Sequence, residues 1–242
     1  MLPRWCALLV AAGLIAGACD GDGVAPQPSV LTPSGDAQNV GIVIVEEEIT
    51  LRAHLFGPLN DTAVILSHMR PNDQSAWYGF AEELAGEGFA VLTFDFRGYG
   101  ETGGETDFDK LDDDLAAAVR FVRNERGKER VFLVGASMGG TTSLVLAARE
   151  SVDGVVAISA PAEFEGQDAL GAAPNVSEPK LFIASEEDTV AIGFQELLDA
   201  AGAPKESELY PGNAHGTALL DPPNGAAFRQ RILQFLRDNS EQ

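Results

Sequence analysis

Short, unbroken apolar runs that alternate with helical segments constrain this chain most. Residues 63–67 read AVILS, 130–134 RVFLV and 180–184 KLFIA. Such runs, lacking polar alternation, are strands buried on both faces, the mark of a parallel sheet covered by helices. Residues 89–94 and 154–159 repeat the pattern, and 206–210 adds a further strand. Helices are expected over 75–86, 108–124, 138–150, 190–201 and 223–238. Two leading strands, 41–45 and 48–56, have no helix between them and should pair antiparallel at one edge. The expected fold class is α/β, one domain over residues 40–242 with a mostly parallel central sheet and helices on both faces.

Sixteen Lys and Arg against 37 Asp and Glu leave a net charge of −21. That charge repels phosphate backbones and excludes nucleic acid as a partner. The acidic cluster Asp109, Asp112, Asp113 and Asp114 sits near the start of an expected helix, where it reads as a solvated cap favoured by the helix dipole.

The amino terminus carries a different message. Arg4 is followed by 14 uncharged residues, Trp5 to Ala18. A spanning helix needs about 18–20, so this run fits a secretory signal instead. Ala16-Gly17-Ala18 supplies the small residues of a cleavage site, and Cys19 comes next. The segment Leu14-Ile15-Ala16-Gly17-Ala18-Cys19 resembles a bacterial lipoprotein signal. That resemblance implies lipidation of Cys19, removal of residues 1–18 and a membrane anchor in the bacterial cell envelope. Ordinary cleavage at the same bond would instead release a free secreted protein. Residues 19–39, rich in Gly, Pro and Asp, read as a flexible tether with a mean reach of roughly 25 Å. Cys6 leaves with the signal, so neither a disulfide nor a cysteine-based metal site is expected.

The sharpest motif is Gly135-Ala136-Ser137-Met138-Gly139-Gly140, directly after the strand VFLV and directly before the helical TTSLVLAARE. This is the setting of G-x-S-x-G, a nucleophile elbow. The serine must occupy a strained strand-to-helix turn, and the flanking glycines remove clashes with neighbouring backbone. The helix N-terminus beyond it presents N–H groups to a developing oxyanion. Serine needs a base, and the chain offers His54, His68 and His215. His54 lies on the polar phase of an early strand and reads as a surface residue. His215 lies in a loop between the last strand and the last helix, where open α/β sheets carry their chemistry. The base needs an orienting acid. Ser185-Glu186-Glu187-Asp188-Thr189-Val190 follows the strand KLFIA and offers three, of which Asp188 is also placed to cap a helix. The order Ser137, Asp188, His215 is that of α/β-hydrolases.

With these motifs together, residues 40–242 resemble the α/β-hydrolase superfamily. Asp95-Phe96-Arg97-Gly98-Tyr99-Gly100 is similar to that family's D-x-R-G-x-G turn, and Asp188-Thr189-Val190 matches its usual acid turn. The resemblance implies Ser137 as nucleophile, His215 as base and Asp188 as orienting acid, with Glu187 as the alternative acid. The family's oxyanion loop usually opens with His-Gly; here it reads Ser67-His68-Met69-Arg70, with Met69 in the glycine's place. The implied oxyanion donors are the backbone N–H groups of Met69 and Met138. His68 is expected to hold the loop rather than act as a second base. Trp77 and Tyr78 either wall a pocket or pack the first helix.

The stretch 160–179 spans 20 residues, room for a loop or one helical turn but not for a large lid. This favours small lidless esterases and dienelactone-hydrolase-like members. The expected function is therefore a serine hydrolase that cleaves small-molecule carboxylic esters of small or medium acyl groups through an acyl-enzyme. An amidase or peptidase with the same triad, and a non-catalytic binding protein of the same fold, are the alternatives. Neither a P-loop nor an H-E-x-x-H motif occurs in the sequence, and neither a cofactor nor a metal is implied.

Overall fold

The computed structural model describes residues 33, 37–58 and 61–240. The chain divides into Met1–Leu31 and Thr32–Gln242. The expected signal, Cys19 and nearly all of the tether lie outside the described residues.

β1 (Gln38–Ile44) and β2 (Ile49–Phe56) pair antiparallel at the edge, as the missing helix between them required. β3 (Thr62–Ser67), α1 (Tyr78–Gly86), β4 (Ala90–Phe94), α2 (Leu111–Arg120), β5 (Arg130–Ala136), α3 (Met138–Ala147) and β6 (Gly154–Ile158) then alternate. The connection that follows holds a two-stranded hairpin, β7 (Glu163–Phe164) with β8 (Gln167–Asp168), and one helical turn, α4 (Ala169–Ala172). β9 (Lys180–Ser185), α5 (Phe194–Ala200), β10 (Lys205–Tyr210) and α6 (Gly225–Ser240) complete the order. The main sheet has eight strands in the order β1-β2-β4-β3-β5-β6-β9-β10. All pairs from β4 to β10 are parallel.

Alternate residues of each apolar run feed opposite layers. In β3, Ala63 and Ile65 join Leu115 of α2 and Leu144 of α3, whereas Val64 and Leu66 join Phe80 of α1 and Phe228 of α6. Neither face of the central strands meets water, which is why the sequence carries no polar phase there. Truncating Ile65 or Leu66 to alanine would cost about 2–5 kcal/mol. The outer strand β10 is instead largely exposed, and Glu206 pairs with Arg231 of α6 at 2.6 Å. Charges on an edge discourage pairing with another chain.

Register brings the strand ends to one rim. Ser67 pairs with both Phe94 and Gly135, Ala136 with Ile158, and Ser185 with Tyr210. The residues that follow, His68, Asp95, Ser137, Ser159 and Glu186, therefore emerge together.

Three helices depart clearly from the expected ranges: α2 runs between a 3-10 turn, Phe108–Lys110, and a π turn, Phe121–Glu125, and α1 and α5 start late. A 3-10 turn, Gln74–Trp77, precedes α1, and the Asp73 carboxylate caps it at Ser75 N–H. α5 starts at Phe194 rather than near residue 190, because the Asp188 carboxylate draws the N–H groups of Val190 and Ala191 into a turn. Gly193, at φ +77°, then resets the chain direction.

Candidate active site

Ser137 stands between β5 and α3 at φ +47° and ψ −114°, a conformation that side chains other than glycine rarely adopt. Its N–H donates to Ile158 O of the neighbouring strand at 2.8 Å. The turn is closed by contacts that only glycine permits. A Cβ on Gly135 would stand 2.2 Å from Gly139 O, and one on Gly139 would stand 2.4 Å from Ser67 O. The elbow thus lies against the end of β3, where the Ser67–Arg70 loop begins.

That loop is pinned from both sides. His68 is fully buried. Its Nε2 accepts the Phe96 N–H at 3.1 Å, so Nδ1 carries the proton and donates to Met69 O at 3.0 Å. Burial pushes its pKa down, only partly offset by the Met69 carbonyl and the nearby Asp95 and Asp73 charges. A neutral imidazole with both nitrogens engaged holds structure and is not placed to move protons. Met69 does more than replace a glycine. Its sulfur accepts from the Thr217 N–H at 3.4 Å and the Thr217 hydroxyl at 3.3 Å, joining the Ser67–Arg70 loop to the segment after His215. Gly216, at φ +58°, has no room for a Cβ against Met69 Sδ.

Asp188 and His215 are in direct contact. His215 Nδ1 lies 2.9 Å from Oδ2 and 3.0 Å from Oδ1 of Asp188. The Asp188 side chain is almost fully covered, while the imidazole remains partly open. Burial alone would raise the Asp188 pKa. Hydrogen bonds from His215 and Ser159, with the Val190 N–H, outweigh it and hold the carboxyl below its usual value. The two loops are also stitched by backbone. Glu186 N–H donates to Tyr210 O and Glu187 N–H to Gly212 O, while Ser185 Oγ donates to Ala214 O at 2.7 Å. Glu187, the alternative acid, is exposed, and among the described residues the carboxylate bonded to His215 is that of Asp188.

Gly216 seats next to Ala136: a Cβ on it would lie 3.4 Å from Ala136 Cβ. This brings the His215 loop over the elbow. Among the described residues no hydrogen bond joins Ser137 Oγ to His215. A cavity of about 380 Å³ opens beside Met69 and Thr217, bordered also by Asn72, Ala76 and Phe80. It lies at the small end of the roughly 300–1,000 Å³ range of ligand pockets. Among the described residues no three or more His, Cys, Asp or Glu side chains converge as a metal site.

Three residues differ from the sequence reading. His54 is buried, not on the surface: its Nδ1 contacts Gln74 Oε1 and Tyr78 OH, each at 3.1 Å. The 3-10 turn and α1 cover the polar phase of β2, and their polar groups satisfy the ring. Asp114 is likewise no solvated cap. It is fully buried and takes the Arg97 side chain through Nε at 3.0 Å as well as the Arg97 N–H. Arg97 also reaches Glu47, so the D-x-R-G-x-G turn is bolted to α2 and to the β1–β2 connection. Ser159 drew no attention in the sequence. A small hydroxyl after an apolar strand is too common a feature to stand out, yet it accepts the N–H of Gly216, the residue after His215, and helps hold the Asp188 carboxyl below its usual value.

Strand order, elbow and rim together define an α/β-hydrolase. The chain belongs to the alpha/beta hydrolase fold family, whose match covers residues 62–221, more than half of the chain. Its relatives include the uncharacterized protein YfhR of Escherichia coli, 25% identical over 74% of this chain and 72% of that protein. Among solved structures, the Pyrococcus furiosus esterase Pf2001 superposes with a TM-score of 0.73 at 22% identity, covering 84% of this chain and 91% of that one. A dienelactone hydrolase from Anabaena variabilis gives 0.72 at 22% identity, covering 84% and 98%. At these identities the structural likeness speaks for the fold.

Proposed function

We propose that the protein is a serine hydrolase acting on carboxylic esters of small or medium acyl groups, with Ser137, His215 and Asp188 as its catalytic triad. The observation that carries this reading is the buried Asp188 carboxylate hydrogen-bonded to His215 Nδ1, on the same rim as a strained Ser137. With Nδ1 donating to Asp188, Nε2 is left as the acceptor for the Ser137 proton.

In this mechanism Ser137 Oγ attacks the ester carbonyl carbon as His215 Nε2 takes its proton. The N–H groups of Met69 and Met138 receive the developing oxyanion. Collapse expels the alcohol, which leaves with the proton returned by the imidazolium. Water then repeats the sequence on the acyl-enzyme and releases the acid and Ser137. Asp188 stays ionised throughout and stabilises the imidazolium. The esterase and dienelactone hydrolase among the structural neighbours agree with such chemistry. The brief connection between β6 and β9 favours compact substrates.

A fluorophosphonate probe should label the wild type at Ser137 and leave Ser137→Ala unlabelled. In a panel of nitrophenyl esters, acetate and butyrate should turn over faster than long-chain esters, and matched anilides more slowly than either. Absence of labelling in folded wild type would overturn the hydrolase reading and favour a binding role for the fold. Preference for the anilides would move the activity to amides.

A further inference from the structure

Two buried residues among those described, apart from glycines, have left-handed backbone: Ser137 at φ +47° and Ser159 at φ +49°. They occupy equivalent places. Each is the residue at the carboxyl end of a central strand, and each donates its N–H to the next strand. Ser137 bonds to Ile158 O at 2.8 Å and Ser159 to Ile183 O at 2.6 Å. Strain of this kind persists where the surroundings demand it, and it concentrates at functional sites. The elbow accounts for the first instance. Nothing in the packing of β6 calls for the second, since glycine would take the same backbone without strain.

The Ser159 side chain supplies the reason. It is fully buried, and Oγ accepts the Gly216 N–H at 3.0 Å. Gly216 directly follows His215. The same hydroxyl is among the groups that hold the Asp188 carboxyl below its usual value. A hydroxyl has one proton to give. With the Gly216 N–H on a lone pair, that proton is left available to the Asp188 carboxylate. One small side chain thereby engages the acid and the backbone of the base from a third, separate strand.

We propose that Ser159 is a positioning residue that clamps the Asp188–His215 pair, fixing the carboxylate and the His215–Gly216 backbone in one geometry above Ser137. This deepens the serine-hydrolase reading and rests on it. Ser185 ties the same two loops, but only to each other. Ser159 refers both of them to β6, the strand beside the elbow. It sets where the imidazole stands relative to Ser137 Oγ without touching substrate.

Removing the hydroxyl frees the carboxylate and the imidazole to shift. A misplacement of about 1 Å can cost on the order of 100-fold in rate. Ser159→Ala and Ser159→Gly should each lower kcat by roughly 10- to 100-fold, with KM for a small ester nearly unchanged. Their stabilities should differ, because only glycine relaxes at φ +49°. Ser159→Gly should therefore melt above Ser159→Ala while being equally impaired. The far-downfield proton resonance of His215 Nδ1–H should be sharp in wild type and broadened or displaced in both variants. Ser137→Ala, run alongside, separates the two claims. Full activity in Ser137→Ala would remove the hydrolase reading itself. If Ser137→Ala is inactive, wild-type kcat and an unmoved resonance in either Ser159 variant would overturn the clamp and leave that reading standing. Activity that merely follows stability, with glycine restoring what alanine loses, would overturn it as well.

Discussion

Adding a single methyl group at Gly139 tests the elbow's geometry at its tightest point. The Cβ of Gly139→Ala would lie 2.4 Å from Ser67 O, 2.7 Å from Ser67 C and 2.8 Å from His68 O, against an ordinary contact of 3.4–4 Å. All three atoms belong to backbone, so no rotamer change relieves the clash. The start of α3 must move from the end of β3 by about 1 Å to reach ordinary contact. That interval is where the proposed oxyanion donors Met69 and Met138 face the attacked carbonyl. Overpacking of this kind costs about 1–3 kcal/mol of stability, or roughly 2–12 °C in Tm for a domain of this size. The catalytic loss should be larger in proportion: a displacement near 1 Å lowers kcat on the order of 100-fold, about 2.7 kcal/mol in barrier. Gly86→Ala is the matched control, because a Cβ there meets nothing within 4 Å. It should leave kcat unchanged and stabilise α1 by about 0.5–1 kcal/mol. Steady-state butyrate ester hydrolysis, far-UV circular dichroism and calorimetry on both variants measure these effects. A folded Gly139→Ala protein with wild-type kcat would refute the argument that close approach of β3 and α3 builds the site.

Further expectations follow from individual contacts. If the proposed triad acts as a unit, Ser137→Ala and His215→Ala should each remove most of kcat with little further loss in the double variant, and Glu187→Gln should be mild; additive losses in the double variant would contradict this. Arg97→Met leaves Asp114 buried without its partner and should cost about 3–5 kcal/mol, roughly 10 °C in Tm. A calorimetric drop of under about 1 kcal/mol would show the pair to be dispensable. The Asp188 carboxyl is held below its usual value, so its contribution to stability is complete above the unfolded carboxyl pKa and is lost as pH falls through the lower folded one. Urea unfolding should therefore show the gap between wild type and Asp188→Asn widest at neutral pH and narrowing below about pH 4; a constant gap would contradict it. Lipidation of Cys19 predicts partition into detergent in a bacterial host and release or blocked processing in Cys19→Ala. An unmodified Cys19 in the intact mass would rule the anchor out.

The sheet was legible because burial on both faces leaves a direct trace. Runs such as AVILS have no polar phase to hide, and their order with the helices fixes a parallel arrangement. The elbow was legible because its glycines answer to backbone collisions, which depend on spacing alone. Burial of polar residues was harder to read. His54 and Asp114 each occupy a position that looks solvent-facing in its own element. Their true surroundings come from partners far away in the chain, Gln74 and Tyr78 for one and Arg97 for the other. The start of α5 was misjudged for a related reason. Asp188 does cap a turn, but its carboxylate is shared with His215, and the helix waits for Gly193. Ser159 lay beyond local pattern altogether, since its importance arises only where three strand ends meet.

The segment between Ile158 and Lys180 leaves the sheet on the rim that carries the proposed triad and returns to the sheet after a small hairpin and two short helical turns. Doubling such a segment adds only about 0.6 kcal/mol of closure entropy. Apart from Ser159 at its very start, the contacts that hold Ser137, Asp188 and His215 lie outside it. Evolution, or an engineer, can therefore lengthen this stretch into a roof and change what enters the cleft while the reaction below is inherited intact. In this chain chemistry and selectivity are separately heritable parts.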